Sequence, residues 1–207
     1  MTIIIETERL EYLEKLESLR RVFIGVKMLY ACTIPSNEFE IHDSYFHLLN
    51  TETKKMIVGK LYILLSDEYK NKKNNYNTIS FKLLLNGIID GYAVHKNFRK
   101  RVQKLIVLRK EIDAIDEKYK TFRDKFFAHI ELDDNHSLRK ISDLGISNKD
   151  ITYLLELAQK AYDQLFLFLD NASCDHMRSE IESLSEKLWR SYEKIGLVKR
   201  TQKMTEA

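Results

Sequence analysis

A chain of 207 residues, 44% hydrophobic and 11% aromatic, carries enough apolar side chain to build one core. Its 34 basic and 31 acidic residues leave a net charge of +3, too slight to establish nucleic-acid binding by itself. One proline, six glycines and two distant cysteines, Cys32 and Cys174, exclude a disulfide-stapled chain and point to long helices in a reducing compartment. The opening MTIIIETERL lacks a basic n-region and a long apolar stretch, so no signal peptide is expected. No apolar run reaches transmembrane length, and the expected location is the cytoplasm with no membrane partner.

The first predicted helix carries Leu10, Leu13, Leu16, Leu19, Phe23, Val26 and Tyr30, spaced by threes and fours as one stripe. Pro35, within Cys32–Asn37, ends it. A second helical region is expected from Phe39 to Tyr69, with a break near Asn50; its apolar positions are Phe46, Leu49, Met56, Ile57, Leu61, Leu64 and Leu65. The polar run Asp67–Asn77 reads as a loop. Ser80 is placed to cap a short helix, FKLLLNGI, stopping near Asp90 and Gly91.

The most regular stretch follows. Val94, Phe98, Val102, Leu105, Leu108, Ile112, Ile115, Tyr119, Phe122 and Phe126 keep three-or-four spacing with no glycine or proline between them. A helix of that length is unusual in a small domain, so a bend or break is expected within it. After a loop from Leu132 to Gly145, Ser147 and Asp150 resemble a capping box. They open a helix with Ile151, Leu154, Leu155, Ala158, Ala161, Leu165 and Phe168. A last helix carries Met177, Ile181, Leu184, Leu188 and Tyr192, with Gly196 as its C-cap. Residues 197–207 are expected to form a flexible tail. No internal repeat or linker divides the chain and no strand pattern competes, so the expectation is a single all-α domain over residues 1–207, a helical bundle with no sheet.

Most catalytic signatures are missing: there is no glycine-rich phosphate loop, no HExxH, no CxxC and no GxSxG. The six histidines form no i,i+4 metal pair, so neither a metal nor a cofactor is expected. Tyr119–Asp134, YKTFRDKFFAHIELDD, is different. On a helix, Arg123 and His129 lie roughly 120° apart around the axis and about 9 Å apart along it. The apolar stripe of Tyr119, Phe122, Phe126 and Ile130 runs between them, so the two polar groups flank it on opposite margins. Asp124 falls outside the stripe. A second feature is basic: His95–Lys110 holds Lys96, Arg99, Lys100, Arg101, Lys104, Arg109 and Lys110. Of these, Lys96, Arg99, Arg101 and Lys104 are the candidates for tracking an RNA backbone; a solvated helix face is the plainer alternative.

The segment FRDKFFAHIELDD resembles the Arg-x(4–6)-His motif of the HEPN superfamily, in which a polar residue often follows the arginine. The alanine before the histidine and the acidic residues after it are similar to the abortive-infection U branch. Arg20, Arg21 and Phe23, then Leu61–Leu85, also look like that branch, and the likeness spans most of residues 10–170; only the motif is specific. The resemblance implies an up-and-down, HEPN-like helical bundle that dimerises through the stripe Tyr119, Phe122, Phe126 and Ile130. It further implies a composite, metal-independent ribonuclease site in which Arg123 and His129 are the motif residues and Asp124 the polar neighbour. A toxin or phage-defence effector cleaving RNA, with a neutralising antitoxin as a further partner, is the function so implied. A non-catalytic helical interaction module, or a bundle that senses nucleotides, is the alternative.

Overall fold

The computed structural model describes residues 2–33, 39–66, 79–115, 119–120, 146–170 and 176–200. Within them are six α-helices, one 3₁₀ turn and a two-stranded sheet. The first helix, α1 (Thr2–Thr33), buries Leu16, Leu19, Phe23 and Val26 and half-buries Leu13 and Tyr30. Leu10 does not share that face and is 56% exposed. Leu10 to Leu19 is three steps of three residues, which at 100° each make about 900°, half a turn off the stripe. Tyr12 takes the inner position instead, its ring against Gly87, where an added Cβ would lie 2.9 Å from the hydroxyl.

The second region starts differently from the helical expectation. Phe39–Ile41 is a strand, β1, followed by α2 (Ser44–Leu65) with Asp43 as N-cap, its carboxylate accepting from the Phe46 amide at 2.7 Å. The helix runs unbroken through Asn50, which is buried and donates its side-chain amide to the Thr33 carbonyl. That residue ties α2 to the end of α1 rather than interrupting a helix. Ile57, Leu61, Leu64 and Leu65 face the core, whereas Tyr45, Leu48, Leu49 and Met56 form an exposed apolar stripe on the far side of α2.

Ser80 caps α3 (Phe81–Tyr92), its hydroxyl accepting from the Leu83 amide at 3.1 Å. Phe81 meets Phe23 edge to face with centroids 5.8 Å apart, at the centre of the core. Truncating either ring to alanine would cost about 3–5 kcal/mol. The long regular stretch is indeed divided. Val94 is exposed before a 3₁₀ turn, Lys96–Phe98, and α4 spans Arg99–Asp113. Val102, Leu105, Leu108 and Ile112 are its buried face, as the spacing predicts.

The next helix, α5 (Asn148–Asp170), touches α1, α2, α3 and α4. Its first turn is a capping box: the Ser147 hydroxyl accepts from the Asp150 amide at 3.3 Å while the Asp150 carboxylate accepts from the Ser147 amide at 2.7 Å. At its other end two arginines satisfy the last carbonyls. Arg9 Nε donates to Leu169 at 2.5 Å, and Arg101 donates to Leu167 and Phe168 at 2.8 and 2.6 Å.

The last helix, α6 (His176–Lys194), carries the buried Trp189, whose indole N–H donates to the Ala31 carbonyl at 2.8 Å. It ends in a Schellman turn. Gly196 has φ +80, its amide reaching Glu193 and the Leu197 amide reaching Tyr192. The chain then enters a strand, β2 (Val198–Arg200), antiparallel to β1, with Phe39 opposite Arg200 and Ile41 opposite Val198. This corrects two expectations: the fold contains a sheet, and the predicted tail is ordered through Arg200, with Val198 only 2% exposed. Residues 201–207 lie outside the described residues. The strand forms because Val198 completes a second apolar cluster with Phe39 and Trp189, to which Phe46 and Tyr192 add partly buried rings. Among the described residues no helix is long and apolar enough to cross a membrane.

Candidate nucleic-acid interface

Arg123, Asp124 and His129, with Phe122, Phe126 and Ile130, lie outside the described residues. Tyr119, at the start of the motif segment, lies inside them and is 3% exposed in the main core. Its hydroxyl donates to Asp150 Oδ1 at 2.7 Å, across 31 residues of sequence. The same carboxylate closes the capping box of α5 through its other oxygen, which also accepts from the Ser147 hydroxyl at 2.6 Å. One aspartate therefore holds both the approach to the motif and the first turn of the central helix. Ile146, on the far side of the motif segment, is buried in the same core. The sequence pattern places Tyr119 on a dimer stripe; in the structure its ring packs within its own chain and its hydroxyl is engaged there.

The basic run of His95–Lys110 divides into three groups. Arg101 points to the end of α5, where besides its two carbonyl bonds the guanidinium lies 5.0 Å from the Phe168 ring centroid and 5.9 Å from that of Phe98. It is a helix cap, with Nη2 making both carbonyl bonds. Arg109 turns toward the packed side of α4, with its Nε buried and making no hydrogen bond. Lys96, Arg99, Lys100, Lys104 and Lys110 are exposed. At about 100° per residue the four of them within α4 fall within about 80° of Val107, on one face.

One carboxylate of its own helix shares that face, since Glu111 falls about 40° from Val107, but it is already paired. The acids of α4 are Glu111 and Asp113, and each is drawn to a neighbouring helix. Glu111 pairs with Lys160 of α5 at 2.5 Å and Asp113 with Lys82 of α3 at 2.9 Å. Among the described residues Lys96, Arg99, Lys100, Lys104 and Lys110 have no ion pair. The sequence singles out Lys96, Arg99 and Lys104 together with Arg101; the geometry keeps Arg99 and Lys104 on one face of α4, leaves Lys96 exposed in the turn before it, gives Arg101 a capping role, and adds Lys100 and Lys110 to the face. The i,i+4 spacing of Lys96, Lys100 and Lys104 was the available signal for one of the two additions.

Burial raises the thiol pKa of Cys32 above its ordinary value, which disfavours the nucleophilic thiolate. Cys174 lies outside the described residues. Compared with known proteins, the chain matches no family model, no curated protein and no solved structure.

Proposed function

We propose that this protein is a metal-independent endoribonuclease of the HEPN type, a mainly helical up-and-down bundle that acts as a toxin or phage-defence effector in the cytoplasm. The observation that carries the reading is the motif itself: Arg123 and His129 with five residues between them, Asp124 beside the arginine, and an acidic run after the histidine. The exposed cations of α4 support it, because a ribonuclease must hold a polyanion.

The chemistry suits those side chains. RNA carries its own nucleophile in the 2′-hydroxyl. A neutral His129 accepts that proton as the oxygen attacks the adjacent phosphorus, and an imidazolium returns a proton to the departing 5′-oxygen. Arg123 binds the phosphate through two parallel N–H bonds and stabilises the charge that builds on its oxygens. Asp124, beside the arginine in sequence, orients Arg123 or tunes a histidine. One histidine cannot be base and acid in a single step, whereas two copies across a two-fold axis can. The products are a 2′,3′-cyclic phosphate and a 5′-hydroxyl.

The test is RNA cleavage in EDTA by the wild type and by His129→Ala, with the ends of the fragments identified. We expect undiminished cleavage in the chelator, cyclic-phosphate ends, and no cleavage by the variant. A 5′-phosphate product, or strict dependence on Mg²⁺ or Mn²⁺, would sink the mechanism. A second reading, a non-catalytic interaction module, draws on one observation, the exposed apolar stripe Tyr45, Leu48, Leu49 and Met56 on α2. It becomes the better account if purified wild type cleaves no RNA.

A further inference from the structure

We infer that the outer face of α4 is a docking rail for the sugar–phosphate backbone of a double helix, so that the RNA this protein engages is a base-paired stem. The choice of RNA over DNA rests on the ribonuclease reading; the rail and its preference for a duplex do not. Lys100, Lys104 and Lys110 project from one rigid helix, with Arg99 at its first position and Lys96 in the 3₁₀ turn before it. From Arg99 to Lys110 the helix advances about 17 Å. A duplex presents one negative charge per roughly 1.7 Å of axis, so cations spread over one face for that length meet several phosphates at once.

The exposed face of α4 itself has phosphate-binding groups and, among its described residues, none of the groups that grip unpaired bases. Proteins that hold single strands combine their cations with exposed aromatic rings on which bases stack. The exposed residues of α4 are Arg99, Lys100, Gln103, Lys104, Val107, Lys110 and Asp113, and none is aromatic. The nearest ring in sequence, Phe98, is packed against Tyr92 and Phe168 with centroids 5.2 and 5.8 Å away. Base-paired RNA is read largely by shape and backbone, which asks for charges at fixed spacing and little else. Fixed spacing is what α4 offers, since Val102, Leu105, Leu108 and Ile112 anchor its other face in the core.

The experiment is fluorescence anisotropy with the full-length wild type and 20-nucleotide probes (2′-O-methyl RNA, so that no 2′-hydroxyl is free to react), as a duplex and as a single strand. A DNA duplex of the same sequence is the third probe. We expect the RNA duplex to bind at least 10-fold more tightly than the single strand at equal salt. Lys100→Glu with Lys104→Glu should weaken duplex binding at least 10-fold. Lys60→Glu with Lys187→Glu makes the same change in net charge at exposed positions of α2 and α6, and should weaken it less than 3-fold. Circular dichroism confirms that both double variants are folded. Replacing Lys100 and Lys104 by alanine should also reduce the slope of log affinity against log salt by about 2.

Single-strand binding as tight as duplex binding, equal losses in the two charge-reversed variants, or no binding to any probe would overturn the rail. Equal affinity for the DNA duplex supports it, since the shared chemistry is the double-helical backbone, and weighs against RNA as the natural ligand. Duplex binding without cleavage of unmodified RNA retires the ribonuclease reading and leaves the rail standing. Cleavage without a duplex preference does the reverse.

Discussion

Lys54 shows how a single side chain bears on stability. It is partly buried on α2, and among the described residues its ammonium has no ion pair or hydrogen bond. Desolvation therefore pulls its pKa below the ordinary lysine value. At neutral pH both folded and unfolded chains hold the proton, and the folded state bears the cost of keeping the charge out of water. As pH rises from the folded value to the unfolded one, about 10.4, the folded state sheds its proton first. The unfolded state then binds more protons, and stability rises through that window. Lys54→Met should raise the melting temperature at pH 7, and its advantage should shrink as pH approaches 10.4. Tyr12, Tyr92 and Tyr192 hold their protons above the usual range because of burial, but both proteins share them, so their effect cancels in the comparison. An unchanged difference from pH 7 to 10.4 would show that Lys54 acts through packing alone. Lys54 also marks a limit of sequence reading. A lysine between Thr53 and Lys55 looks like part of a solvated run, and its burial follows only from where α2 packs. Tyr119 poses the same difficulty: its place on an apolar stripe was legible, but Asp150 as its partner was not, because that bond joins positions 31 residues apart.

At the scale of elements, local chemistry was readable wherever neighbours in sequence decide the outcome. Ser80, the Ser147 and Asp150 pair, and Gly196 end or begin helices as their residue types dictate. The sheet was not readable. Its two strands are three residues each, are separated by most of the chain, and form because Val198, Phe39 and Trp189 meet in space. No period of two develops over so few residues. Gly196 connects the two cases, since its φ of +80 turns the chain from α6 into β2. Gly196→Ala should destabilise the protein by about 1–2 kcal/mol in urea unfolding, the cost of a left-handed conformation at an L-residue. No atom lies within 4 Å of the added methyl, so the cost is backbone alone. Gly25, in the middle of α1, has equally open space and ordinary helical backbone. There the same substitution should stabilise by about 0.5–1 kcal/mol. Like signs for the two variants would contradict the assignment of the turn.

For the whole molecule, the proposed chemistry demands more than one chain. Each protomer brings one motif histidine, and transfer of a proton from the 2′-hydroxyl together with delivery of one to the 5′-oxygen needs two. The protein should therefore be a dimer at micromolar concentration, as light scattering would measure, and cleavage should be lost on dilution below the dissociation constant. His129→Ala and Arg123→Ala should abolish cleavage while leaving helicity, dimer mass and melting temperature nearly unchanged. Residues at the margin of an apolar stripe, away from packed groups, change stability by about 0.5 kcal/mol or less. Phe126→Ala, from the centre of the stripe, should instead cost roughly 3–5 kcal/mol or shift the protein toward monomer. The exposed apolar residues of α2 provide the control. Leu48→Ser with Leu49→Ser, at positions 57% and 62% exposed, should leave the dimer intact if the motif stripe is the interface. A monomeric wild type rules out the composite site. If the α2 variant alone falls to monomer, the two-fold contact lies on α2, and the motif histidines of two chains are not brought together by the stripe.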